Sequence, residues 1–197
     1  MPERELAVPR QAVALRDGEL VLRAFGPGDV QALVEAFADP AVAAWNPGPA
    51  EMSDEAARAW LMHRADWTSG DHTSWAISAP SGVLLGSVSL FQLNAVQRDG
   101  EAGYWLVPAA RGRGVASQAL RLSARYAFDE LGLNRLTLFH AVDNVASCRV
   151  ANAAGFQVEG TLRQSHRYGD GIYHDEHVHG RLVTDAVEVP APPSGAP

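Results

Sequence analysis

The chain is short of cysteine, of positive charge and of long apolar runs, and each shortage removes a class of function. Its 197 residues include a single cysteine, Cys148, so no internal disulfide can form. That thiol sits in a helix-like apolar pattern, as a packing residue rather than a nucleophile. Against 23 Asp and Glu there are 16 Lys and Arg, a formal net charge of −7. This argues against a nucleic-acid binder and mildly favours cationic partners. No stretch approaches the ~20 apolar residues that span a bilayer, and residues 1–10 carry charges without a hydrophobic signal core. A cytoplasmic protein with no membrane partner is expected. Internal repeats are absent.

What is present fits one domain. Hydrophobic residues at 47% and charged residues at 20% are ordinary for a globular chain, and this length leaves little room for a second core. The expected division is an N-terminal arm over residues 1–18, a domain over 19–185, and a disordered tail over 186–197, where proline is frequent.

The chain is organised around Arg111-Gly112-Arg113-Gly114-Val115-Ala116, between a strand-like stretch and a helix-like one. Two glycines allow a tight turn that aims successive N–H groups at one spot, and the opening turn of a helix adds more unpaired N–H groups and a positive dipole end. Such a turn is a phosphate cradle. It lacks the Lys-Ser/Thr pair of a nucleoside-triphosphate loop, and it meets a dinucleotide fingerprint only as Gly112-x-Gly114-x-x-Ser117, in mid-chain.

Around this loop, residues 19–25 alternate as a first strand, Asp29 can cap a helix reaching Asp39-Pro40, and Ser53 starts another helix. Between those helices lies a turn-rich link carrying Trp45. Strands follow at residues 74–79, 83–92 and 101–107, joined by a hairpin turn at 79–82 and a polar loop at 94–100. Residues 115–131 are an amphipathic helix, 134–141 are β-like, 145–153 are helical with Gly155 as the stop, and 156–162 and 172–182 are the final strands. A meander of this kind is unlike a doubly wound nucleotide fold, which counts against a dehydrogenase. His174, His177 and His179 with Asp175 invite a metal reading. On a strand, however, Asp175, His177 and His179 share one face while His174 takes the other, and no cysteine or second cluster completes the set, so no metal is expected.

Arg111-x-x-Gly114-x-Ala116 resembles the acetyl-coenzyme A loop of the GNAT family of N-acetyltransferases, whose pattern is Gln/Arg-x-x-Gly-x-Gly/Ala. The flanking order, Glu101-Ala102-Gly103-Tyr104-Trp105-Leu106 before and Asn144-x-x-Ser147 with Ala154-Gly155-Phe156 after, is similar to the RimJ/RimL ribosomal-protein N-terminal acetylating branch. The resemblance covers roughly residues 20–183. It implies an α/β (α+β) fold with a central, mostly antiparallel mixed sheet that splays after the fourth strand, at residues 106–108, between flanking helices.

It also implies roles. In the cofactor-binding loop Arg111-Gly112-Arg113-Gly114-Val115-Ala116-Ser117, the backbone N–H groups of Arg113 through Ser117 would face the pyrophosphate of acetyl-coenzyme A, with the Arg111 and Arg113 side chains as further phosphate contacts or as mere solvated charge. The N–H of Leu106 or Val107 would polarise the thioester carbonyl. Asn144 would bond the pantetheine arm, or simply cap its helix. Glu101 is the first choice for general base, with His166, in the connection 163–173, as its rival. Many relatives place a tyrosine where this chain has Ala151, so Ser147 becomes the proton donor to the thiolate. Trp45, Tyr168 and Tyr173 would line the acceptor pocket. The expected reaction is direct acetyl transfer to a primary amine in a ternary complex, the acceptor being a protein N-terminus or a small molecule. No acyl-enzyme is expected, since position suggests no histidine partner for Cys148. Two alternatives stand beside it, a non-catalytic acyl-coenzyme A sensor and an oxidoreductase with a degenerate loop. The relatives make a homodimer an expectation that no residue here demonstrates.

Overall fold

A computed structural model describes residue 6, residues 8–46 and residues 52–185. The tail over 186–197 and most of the link after Trp45 lie outside the described residues. Strand β1 (Leu15–Asp17) turns at Gly18 and pairs antiparallel with β2 (Leu20–Arg23). Asp29 stands at the start of α1 (Val30–Ala38), but its side chain does not cap that helix. The carboxylate instead accepts from Arg23 (2.7 and 2.8 Å) and from the Gly26 N–H (2.9 Å). A short helix α2 (Pro40–Trp45), not anticipated from sequence, follows at once. Pro40 suits its first turn and Asp39 caps it by accepting from the Val42 N–H (3.0 Å). Helix α3 (Asp54–Ala65) starts at the expected cap, where Ser53 Oγ accepts from the Ala56 N–H (3.2 Å).

Strands β3 (Thr73–Ser78), β4 (Leu84–Asn94) and β5 (Asp99–Leu106) form the antiparallel meander. Then come α4 (Val115–Asp129), β6 (Arg135–Ala141), α5 (Val145–Ala153), β7 (Gln157–Arg167) and β8 (Tyr173–Leu182). The eight strands make one sheet in the order β1-β2-β3-β4-β5-β6-β8-β7. Its one parallel junction, β5 against β6, holds only over the pairs Asp99–Arg135, Gly100–Leu136 and Glu101–Thr137. The splay therefore lies between the meander and the strand after the loop, and it opens from Ala102 onward rather than only at residues 106–108.

Helices cover both faces. On one side Leu120, Ala119 and Ala127 of α4 and Ala151 of α5 pack with Val88, Leu90, Leu136 and Leu138. On the other, Leu33 of α1 and Ala57 and Leu61 of α3 pack with Ala76, Leu84 and Trp105. Among the described residues no helix is long and apolar enough to cross a membrane.

Leu120 is fully buried between α4 and the sheet. Leu120→Ala should destabilise the fold by about 2–5 kcal/mol, read as a lower urea midpoint at unchanged slope, whereas Met62→Ala on the exposed face of α3 should move it little.

Candidate active site

Beyond Glu101, each strand bordering the splay has lost its neighbour, and the opening continues into a cavity of about 1200 Å³. In the β4–β5 ladder the Val107 N–H donates to Leu85 O (3.0 Å), so it is unavailable to a ligand. Alternation then turns the N–H groups of Leu106, Tyr104 and Ala102 the other way, into the gap. Of the two amides considered from sequence for a carbonyl, Leu106 is the one that faces the opening.

At the far end of the gap stands the glycine loop. Gly112 (φ +70°) and Gly114 (φ +75°) are both left-handed, and a Cβ on either would meet nothing within 4 Å. Glycine is selected there by backbone conformation, and the space before the loop is open to a ligand. The first bond of the α4 ladder runs from Gln118 N–H to Gly114 O (3.0 Å). The amides of Val115, Ala116 and Ser117 thus precede the ladder, and Ser117 Oγ turns back to Gly114 O (2.9 Å). A diphosphate fits this end.

The two arginine side chains differ: Arg111 lines the cavity and Arg113 does not. Arg111 binds Asp39 (2.6 Å), and its Nε and a terminal nitrogen both donate to Leu106 O (3.3 Å). The guanidinium holds the Asp39 carboxyl below its ordinary range. Arg113 is exposed and does not line the cavity.

The start of α5 supplies a second helix N-terminus. Asn144 Oδ1 accepts from the Ser147 N–H (3.1 Å), so the residue does cap the helix, while its NH₂ remains the group a ligand can use. Ser147 Oγ accepts a hydrogen bond from the Tyr104 hydroxyl (3.0 Å), which leaves the serine proton to point elsewhere. Burial pushes the Tyr104 phenol up to about 12 and keeps it a donor. Ala151 removed a tyrosine from the helix, but β5 brings a phenol to Ser147 from the other side. Cys148 does not line the cavity.

Alternation places Glu101 on the opposite face of β5 from Tyr104. It is half-buried, and burial, followed by the charge of Glu176, raises its pKa. Glu176 is itself buried, accepts from the Tyr168 hydroxyl (2.7 Å), and accepts from Ser165 Oγ. Tyr168 is in turn pushed up by burial and by Glu176. Both Tyr104 and Glu176 were missed from sequence. Strand parity put Tyr104 across from Glu101, but only the fold shows that both faces open into one cavity.

His166 lies on β7, not in a loop: the strand runs to Arg167 and the connection shrinks to residues 168–172. Its ring stands edge-on to Tyr168 at 4.7 Å. Trp45 packs on Tyr168 (5.4 Å) and His174 (5.8 Å), so Trp45, Tyr168 and His166 form one wall of the cavity. Tyr173 is 60% exposed and does not line it. The wall is tied to α2 by the Gly169 N–H donating to Ala44 O (3.0 Å).

The sequence profile of the acetyltransferase (GNAT) domain family matches residues 19–157. YdaF of Bacillus subtilis (strain 168), named for ribosomal N-acetyltransferase activity, is 40% identical over 94 residues, 48% of this chain and 51% of that protein. The chain thus spans about half the length of that relative, and 54% to 60% of three further acetyltransferases that it matches. A spermidine N(1)-acetyltransferase of Vibrio cholerae is 25% identical over 81% of this chain and 90% of its own. The solved structure of RimL, a ribosomal-protein alpha-N-acetyltransferase in complex with coenzyme A, superposes with a TM-score of 0.76 at 25% identity, covering 86% of this chain and 98% of that one.

A Cβ at Gly169 would lie 2.1 Å from Ala43 O. Gly169→Ala must push the hairpin tip off α2, and a loss of about 1–3 kcal/mol in chemical denaturation is expected.

Proposed function

Because the chain belongs to the GNAT acetyltransferase family, whose domain profile covers residues 19–157, we propose that it moves the acetyl group of acetyl-coenzyme A to a primary amine by direct transfer in a ternary complex. The observation that carries this reading is the splay: it joins the glycine loop, the Leu106 amide, Ser147 and Glu101 in one continuous cavity. The loop and the first turn of α4 hold the diphosphate. Pantetheine lies along the unpaired edge of β5, with the Asn144 NH₂ as a further donor. The acceptor enters from the opposite face, past Trp45 and Tyr168.

Glu101 takes a proton from the incoming ammonium, directly or through a water, and the free amine attacks the thioester carbonyl. The Leu106 N–H holds the developing oxyanion. As the C–S bond breaks, the sulfur takes the proton of Ser147, which Tyr104 orients, and the second proton lost from the attacking nitrogen, relayed through water, restores the serine hydroxyl. The raised pKa of Glu101 makes it a stronger base than an ordinary glutamate. Two carboxylates, Glu101 and Glu176, suit a cationic acceptor; a protein N-terminus and a polyamine both qualify, in keeping with what the named relatives act on.

A thiol-release assay over a panel of amines tests the reading, and failure of every primary amine to release coenzyme A would overturn it. Glu101→Gln should lower kcat about 100- to 10,000-fold without weakening acetyl-coenzyme A binding; a sensor would show no turnover to lose.

The pH profile carries a further test. A base must be deprotonated to act, so kcat/KM should rise with pH through the Glu101 pKa, on a limb above the ordinary value of about 4.3, and fall away below it. Glu176→Gln removes the neighbouring charge, so that limb should move to lower pH.

A further inference from the structure

We propose that β6, β8 and α5 together form a binding site for one divalent transition-metal ion of the zinc type, with His140, His177, His179 and Cys148 as ligands. One ligand atom from each of these four side chains lies within 4.8 Å of every other. The fold explains the gathering. Register sets His140 of β6 opposite His177 of β8, and Leu138 opposite His179, so the three imidazoles share the face that α5 covers. Cys148, in the second turn of α5, closes the set from above. Read along β8 alone, the histidines lacked a cysteine and a second cluster; pairing with β6 and packing under α5 supply both, which corrects the reason for expecting no metal.

Hydrogen bonding orients the ring nitrogens for a cation. Nδ1 of His140 lies 2.8 Å from Ala141 O and Nδ1 of His179 lies 3.2 Å from Phe156 O. A carbonyl can only accept, so in both rings Nδ1 carries the hydrogen and Nε2 presents a lone pair. Those two Nε2 atoms face each other at 3.0 Å. Two lone pairs cannot bond one another, and a positive centre between them resolves the conflict. A backbone carbonyl holding the far nitrogen is also the usual arrangement behind a metal-bound histidine. His177 Nδ1 is buried with no hydrogen-bond partner among the described residues, and Asn152 donates to Cys148 Sγ (3.7 Å).

Three imidazoles and one thiolate select zinc-like ions over magnesium or calcium. Zinc bonds of about 2.0–2.3 Å place tetrahedral ligands roughly 3.3–3.8 Å apart, so the widest separations, up to 4.8 Å, must close by about an ångström while the His140 and His179 nitrogens, now 3.0 Å apart, part by a few tenths. On binding, the Cys148 thiol gives its proton to solvent and all four positions fill, which describes a structural site rather than a catalytic one. Its consequence is mechanical: the ion pins α5, which carries Asn144 and Ser147, to the sheet.

The test uses the full chain, free of any histidine tag, stripped with a chelator and titrated with Zn²⁺ against a chromophoric competitor. One equivalent should bind, and the melting temperature should rise with it. Cys148→Ser and His177→Asn should each weaken binding at least about tenfold. With Co²⁺ the wild type should show the intense visible bands of a tetrahedral site and a thiolate charge-transfer band that Cys148→Ser lacks. No tight Zn²⁺ binding by the wild type, an octahedral Co²⁺ spectrum, or binding undiminished when Cys148→Ser and His177→Asn are combined would overturn the proposal, the first meaning that a shared proton bridges His140 and His179. Should the variants fail to fold, the Co²⁺ spectrum of the wild type decides alone.

Discussion

The structure depends on a pairing that stops. Strands β5 and β6 run parallel for three residue pairs and then part, leaving main-chain donors and acceptors along β5 with no partner strand. Buried backbone polar groups need partners, so an opening of this kind in the middle of a sheet is unfavourable unless water or a ligand fills it. The same gap does a second thing that no continuous sheet can do: it connects the two faces. Tyr104 and Ser147 lie on the side of α4 and α5, while Glu101, Glu176, Tyr168 and Trp45 lie on the other, and all border one cavity. A long cofactor can lie along one side and an acceptor can approach from the other, meeting where the ladder ends.

That arrangement separates the two proton transfers the proposed reaction needs. The base sits among carboxylates, where burial and a like charge raise its affinity for a proton. The donor sits at a helix N-terminus beside a phenol that burial keeps protonated. Removing a proton from the acceptor and returning one to the sulfur are thereby given to opposite faces, with environments of opposite bias.

How much of this the sequence disclosed follows the range of the interactions. Local features were legible: the two glycines and their helix, the Ser53 cap, and α5 with Asn144 at its start, all fixed by residues within a turn of one another. The helix α2 was passed over because its six residues make fewer than two turns, too few for an apolar face to repeat, and its signal is only a proline after a capping aspartate. The origin of the splay at Ala102, the Tyr104–Ser147 bond and the meeting of Glu101 with Glu176 are set by strand register and packing between residues 36 or more apart in the chain. Nothing in the spacing of Glu101 and Glu176 announces that they share a cavity, and nothing in Cys148 announces three histidines beneath it.

Arg111 shows the same limit from the other side. As a motif residue it promised a phosphate contact, yet its guanidinium reaches the Asp39 carboxylate, which also caps α2. Helix α2 carries Trp45 at its end and holds the tip of the β7–β8 hairpin through Ala44 O and Gly169. The glycine loop, α2 and the hairpin are therefore one chain of contacts, in which the residue flanking the cofactor cradle anchors the wall of the acceptor side. Through that ion pair the charge of the motif arginine links the glycine loop to α2, and with it the two sides of the cavity.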